Sequence, residues 1–125
     1  MFEACFRMTA LIESDGLGHT IFKVYEQREP VSEDAFLSLI KATYEQRVSP
    51  LLQIGDDLTM ILHVNLPNHE IERTVHVRED RQFEGDWLLK PTLDPFPLFS
   101  SVYSGFRRQA IPGNVLTVTL RVQRF

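Results

Sequence analysis

Cysteine is almost missing from this chain: Cys5 stands alone among 125 residues. That excludes a disulfide within the chain and a zinc site built on several thiolates, and it fits a reducing compartment. Long apolar runs are missing too, since nothing approaches the ~18 consecutive apolar residues of a membrane-spanning helix. Glu3 and Arg7 interrupt any apolar stretch of a secretory leader. The expectation is a cytoplasmic protein with no membrane span. An excess of positive charge is missing as well: 13 Lys and Arg stand against 17 Asp and Glu, a formal net charge of −4. Such a chain repels phosphate backbones overall, so nucleic-acid binding would need a local basic patch. A glycine-rich phosphate loop is absent as well. Gly16-Leu17-Gly18 lacks the later glycine of a dinucleotide fingerprint and leads into a strand, not a helix.

What is present is patterning. The apolar share of 43 % suits a folded core, and the length suits a single domain spanning 1–125. From Phe2 to Ile12 the even positions (Phe2, Ala4, Phe6, Met8, Ala10, Ile12) are apolar, the period of a half-buried strand. Asp15-Gly16-Leu17-Gly18 is a turn, and Thr20–Glu26 completes a hairpin. Ser32 is placed to cap a helix of roughly four turns, with Glu33 and Asp34 at the positive end of its dipole. Its buried stripe reads Phe36, Leu39, Ile40, Thr43 and Arg47, widened by Ala35, Ala42 and Tyr44, and Pro50 closes it. Leu58, Met60, Leu62 and Val64 share one face of a third strand; Ile71, Val75 and Val77 share one face of a fourth. A loop centred on Pro67-Asn68 would set Val64 opposite Ile71, Met60 opposite Val75 and His63 opposite Glu72. Leu116, Val118, Leu120 and Val122 alternate along a last strand. The expected fold is α+β: an antiparallel sheet of four or five strands in the order β-β-α-β-β-arm-β, with one main helix on one face.

The arm is 87–114. Pro91, Pro95 and Pro97 break regular structure there, while Trp87, Phe96, Leu98, Phe99, Tyr103 and Phe106 concentrate apolar area. Either the arm wraps its own domain or it docks on a partner, with these six residues at the interface. Ser100–Arg108 has the makings of a short helix.

Candidates for chemistry are few. His63, His69 and His76 fall in one hairpin with Glu70 and Glu72, but His63 and His76 would lie ~13 Å apart, too far to share a metal. Asp56-Asp57 reads as a solvated turn. Cys5 lies on the polar face of the first strand, with no histidine or helix N-terminus beside it to make it a nucleophile. Arg107, Arg108, Arg121 and Arg124, near Tyr103 and Phe106, could contact anions or nucleic acid. No metal and no cofactor is expected.

Phe106-Arg107-Arg108 followed by Leu116-Thr117-Val118-Thr119-Leu120 resembles the late loop and strand of the rhabdovirus matrix proteins. The resemblance covers a minor part of the chain, which is acidic where those proteins carry a basic N-terminal tail. It implies a viral matrix-like assembly role. The residues themselves point to a non-enzymatic protein-interaction or assembly protein, self-associating or acting as an accessory or inhibitor. The alternatives are a nucleic-acid-binding module using Tyr103–Arg108 and Arg121–Phe125, and a small enzyme using His63 and Glu72.

Overall fold

The computed structural model of the chain describes residues 1–78, residues 95–125 and the backbone of 83–85. The fold is α+β, with an antiparallel sheet in the order β2-β1-β6-β3-β4-β5. Five strands are substantial: β1 (Phe2–Ser14), β2 (Thr20–Val24), β3 (Asp57–Val64), β4 (His69–Val77) and β6 (Val115–Arg124). The sixth, β5 (Phe83–Gly85), adds three residues beside β4. There are two helices among the described residues, the expected main one, α1 (Glu33–Thr43), and α2 (Phe96–Phe106), which starts four residues before the short helix expected at Ser100–Arg108. Among the described residues no helix is long and apolar enough to cross a membrane.

Alternation places the core. Met8, Ala10 and Ile12 of β1, Leu58, Met60, Leu62 and Val64 of β3, and Leu116, Val118, Leu120 and Val122 of β6 are all buried. They form one cluster with Phe36 and Ile40 of α1 and Phe99, Tyr103 and Phe106 of α2. Both helices therefore lie on this face. The chain's last strand sits between the two hairpins, paired to β1 on one side and β3 on the other.

Ser32 caps α1 as its sequence suggests, its Oγ accepting the Ala35 N–H at 3.1 Å. The buried stripe differs at its C-terminal end: Phe36, Ile40, Tyr44 and Val48 face the core, not Thr43 and Arg47. A spacing of four overshoots the helical turn by about 40° per step, so a plain α-helix would swing Val48 outward. The wider π turn at Tyr44–Val48 counters that drift. Pro50 then sits in a closing 3-10 turn, Ser49–Leu51.

The β3–β4 register also differs from expectation. Val64 faces His69, Leu62 faces Ile71, Met60 faces Arg73 and Leu58 faces Val75. The loop is Asn65–Asn68, centred one position earlier than Pro67-Asn68, and this slides the partner strand by two residues. A two-residue slide keeps every side chain on its own face, so the core assignment is unaffected.

Part of the expected arm is helical. Pro95 and Pro97 sit at the N-cap and in the first turn of α2, where a backbone N–H has no helical partner and proline is tolerated. The prolines therefore start a helix where an extended segment was expected. Trp87 lies outside the described residues.

Candidate interaction surface

The odd-numbered residues of β1, β3 and β6 and the even-numbered residues of β4 point away from the helices and form the second face of the sheet. Its side chains line up in rows across β4, β3, β6 and β1: Glu70, His63, Thr117, Thr9; then Glu72, Ile61, Thr119, Arg7; then Thr74, Thr59, Arg121, Cys5; then His76, Asp57, Gln123, Glu3. Most are polar, as befits a face on which no helix among the described residues packs. Several satisfy one another. Thr59 and Thr74 hydroxyls meet at 2.8 Å, and those of Thr9 and Thr117 at 3.3 Å. Arg121 donates to Glu72 at 3.1 Å, and His76 pairs with Asp57. Thr59 is fully buried beneath longer neighbours.

Among the described residues this face does not assemble a catalytic group. His63 lies opposite Glu70, not Glu72, and its Nε2 bonds Asn68 Oδ1 at 2.6 Å. His76 lies opposite Asp57, six positions from His63 along β3, which is about 20 Å. The true register thus separates the two histidines further than expected. Cys5 shares its row with Thr59, four positions from His63, so about 13 Å along the strands separates the thiol from that base. Burial, followed by the nearby Glu3 carboxylate, pushes the Cys5 thiol above its ordinary pKa, the opposite of nucleophile activation. Among the described residues no group of three or more His, Cys, Asp or Glu side chains could hold a metal ion.

The edge of β1 is different. β2 pairs only with Ala10–Ser14, and the last bond of that ladder runs from Tyr25 N–H to the Thr9 carbonyl at 2.9 Å. There the chain turns away, with Glu26 in the left-handed region at φ 74°. Along Phe2–Met8, β1 is paired to β6 on one side, and among the described residues no backbone group bonds its other side. Alternate residues of an antiparallel strand direct their N–H and C=O to opposite edges. Thr9 bonds toward β2, whereas Ile12 bonds Gly113 and Asn114 on the β6 side. By that parity Glu3, Cys5 and Arg7 aim their backbone donors and acceptors into the open. A groove of about 480 Å³ opens at the Phe6–Thr9 end of this edge, its walls including Phe6, Arg7, Tyr25, Gln27 and Arg47.

No protein-family model, curated protein or solved structure matches this chain.

Most of the residues first considered for binding are engaged within the subunit. Phe99, Tyr103 and Phe106 are 0, 3 and 4 % exposed, because α2 lays them on the core face. Phe106 stacks on His69 at 5.4 Å. Phe96 and Leu98 are half-buried, and Phe96 packs against Tyr44 at 5.0 Å. Glu33, in the first turn of α1, accepts from Tyr103 Oη at 2.9 Å and from Arg107 Nε. Burial, reinforced by that carboxylate, raises the Tyr103 pKa. Arg121 is paired with Glu72. Arg124 forks onto Asp56, Nε to Oδ1 and Nη2 to Oδ2, both at 2.9 Å. Arg108 is exposed. Asp56 is not the solvated turn former its sequence suggested: it is 1 % exposed and also accepts the Gln53 N–H at 2.9 Å.

Sequence patterning missed the β1 edge, although a signal was there. The first strand reads as Phe2–Ile12 and the second as the shorter Thr20–Glu26, so a hairpin between them must leave the start of the first uncovered.

Proposed function

We propose that this is a non-enzymatic protein-interaction protein that works by strand addition at the free edge of β1. The observation that carries it is the backbone of Phe2–Met8, whose outer side no backbone group among the described residues bonds. An open edge is a template for another strand, and soluble proteins normally cover or shorten it. Here, among the described residues, a long stretch is left open, with a groove at its Phe6–Thr9 end. Main-chain bonds at such an edge supply affinity, and alternate side chains supply selectivity.

The nucleic-acid alternative has less support. Arg107, Arg121 and Arg124 each hold a carboxylate, and a phosphate would have to displace it. The enzyme alternative has less support too: among the described residues His63 lies opposite Glu70 and away from His76 and Cys5.

Cys5→Pro is the test. Proline removes the central outward N–H, and an edge position tolerates it because that N–H is not part of the β1–β6 ladder. Extended peptides selected from an unbiased display library on the wild-type protein should bind it and lose binding to the variant, with circular dichroism unchanged. If selected peptides bind wild type and Cys5→Pro equally, strand addition at β1 is wrong.

A further inference from the structure

Resting on that proposed edge function, we infer that the strand added at β1 is the β1 of a second copy of this chain, antiparallel, on a two-fold axis through Cys5. Two independent features select this occupant and this register.

The first is the shape of the gap. The uncovered stretch runs from Phe2 to Met8, and its midpoint is Cys5. A second copy centred there sets Phe2 opposite the partner's Met8 and Met8 opposite the partner's Phe2, which fills the opening from end to end. The partner's β2 begins only at its own Ala10, beyond the paired stretch, so the two hairpins do not collide. The parity is also right. Glu3, Cys5 and Arg7 carry the outward bonding groups, and an antiparallel pairing about Cys5 matches odd residues with odd, as the ladder requires.

The second is charge. In this register Glu3 lies opposite the partner's Arg7, and Arg7 opposite the partner's Glu3. Both pairs are of opposite sign, directly across the ladder, where such pairs stabilise a sheet. Shifting the axis to Glu3 or to Arg7 would put like charges opposite each other. On the helix-bearing face the same register sets small Ala4 against the partner's large Phe6. Arg7 is available for this role: among the described residues it makes no ion pair, whereas Arg107, Arg121 and Arg124 do. Glu3 is only lightly held, by Gln123 at 3.4 Å and the Cys5 thiol at 3.6 Å. Charges of a single sign along an edge repel any second strand. One acid and one base spaced evenly about a midpoint instead admit the strand that carries the same two in reverse.

The experiment is charge reversal followed by mixing. Wild-type protein at high micromolar concentration should sediment as a dimer. Glu3→Arg alone and Arg7→Glu alone each create two like-charge pairs and should each weaken dimerisation about tenfold or more. Mixed in equal amounts, the two variants should form a heterodimer, because every cross-strand pair is then opposite in sign; the double variant Glu3→Arg/Arg7→Glu should recover self-association. Mild oxidation should link copies through Cys5, since a hydrogen-bonded pair holds Cα atoms about 5.5 Å apart, within disulfide reach. Circular dichroism controls for folding. A dimer that survives Cys5→Pro, or variants that do not rescue each other, overturns the proposed pairing. A wild-type monomer that still binds selected peptides at this edge overturns the self-pairing and leaves strand addition standing. A monomer that binds none overturns both.

Discussion

Replacing Asp56 tests whether the last strand is pinned by a buried ion pair. Asp56 is 1 % exposed and accepts three bonds: two from Arg124 and one from the Gln53 amide, each at 2.9 Å. Arg124 also donates to the Leu51 carbonyl at 2.8 Å, so the pair ties the end of β6 to the segment leading into β3. Breaking a fully buried pair costs about 3–5 kcal/mol. The Arg124 side chain is 31 % exposed, so water recovers part of the loss and screens the attraction. Asp56→Asn keeps the shape and an acceptor but removes the charge. Its expected cost at neutral pH is about 2 kcal/mol, a fall in Tm of several degrees for a chain of this size. The pH dependence is a second readout. Arg124 hydrogen bonding holds the Asp56 carboxyl below the usual carboxylate range. A depressed folded pKa means stability that is complete above the unfolded value of about 3.9 and is lost as pH falls through the folded value. The gap between wild type and Asp56→Asn should therefore be constant above about pH 5 and close at lower pH. Urea unfolding across that range measures it. A gap absent at pH 7, or one that does not close in acid, would refute the assignment.

Three further outcomes follow from the geometry. Phe99→Ala should destabilise the protein by about 3–5 kcal/mol in urea unfolding, because the ring is fully buried; a loss under about 1 kcal/mol would mean that α2 is not core. Tyr103→Phe removes one donor to Glu33, which keeps Arg107, and should cost about 1 kcal/mol. Alkylation of Cys5 by iodoacetamide should be slower at neutral pH than that of an unstructured cysteine, rising with pH through a midpoint above the ordinary thiol value, since burial and Glu3 favour the neutral form; a rate at pH 7 above the unstructured control would contradict this.

Local pattern and long-range pairing were unequally legible in this sequence. The alternation of β1, β3 and β6 and the Ser32 cap are short-range signals, and the structure follows them. The β3–β4 register depended on where one four-residue loop is centred, and a shift of one position moved every pair without changing a face. The start of α2 was hidden because proline was read as a breaker, whereas in a first turn it is compatible with helix. Asp56 gave no local sign of burial. Its partner, Arg124, stands at the far end of the chain, and only the central placement of β6 brings the two together.

The proposed site was harder to see for a geometric reason. Hydrophobic period reports which face a strand residue points to, because side chains leave the sheet above or below it. Strand addition uses the other direction, in the plane of the sheet, where N–H and C=O groups point and every residue type contributes the same atoms. A sequence therefore announces its core readily and its open edges hardly at all. What can be read is indirect: unequal strand lengths around the first hairpin, then charges of opposite sign at Glu3 and Arg7 on either side of Cys5. Neither means much alone. Under the proposed pairing, their even spacing about the midpoint of the uncovered stretch turns the two charges from ordinary surface residues into a condition on which strand can lie alongside.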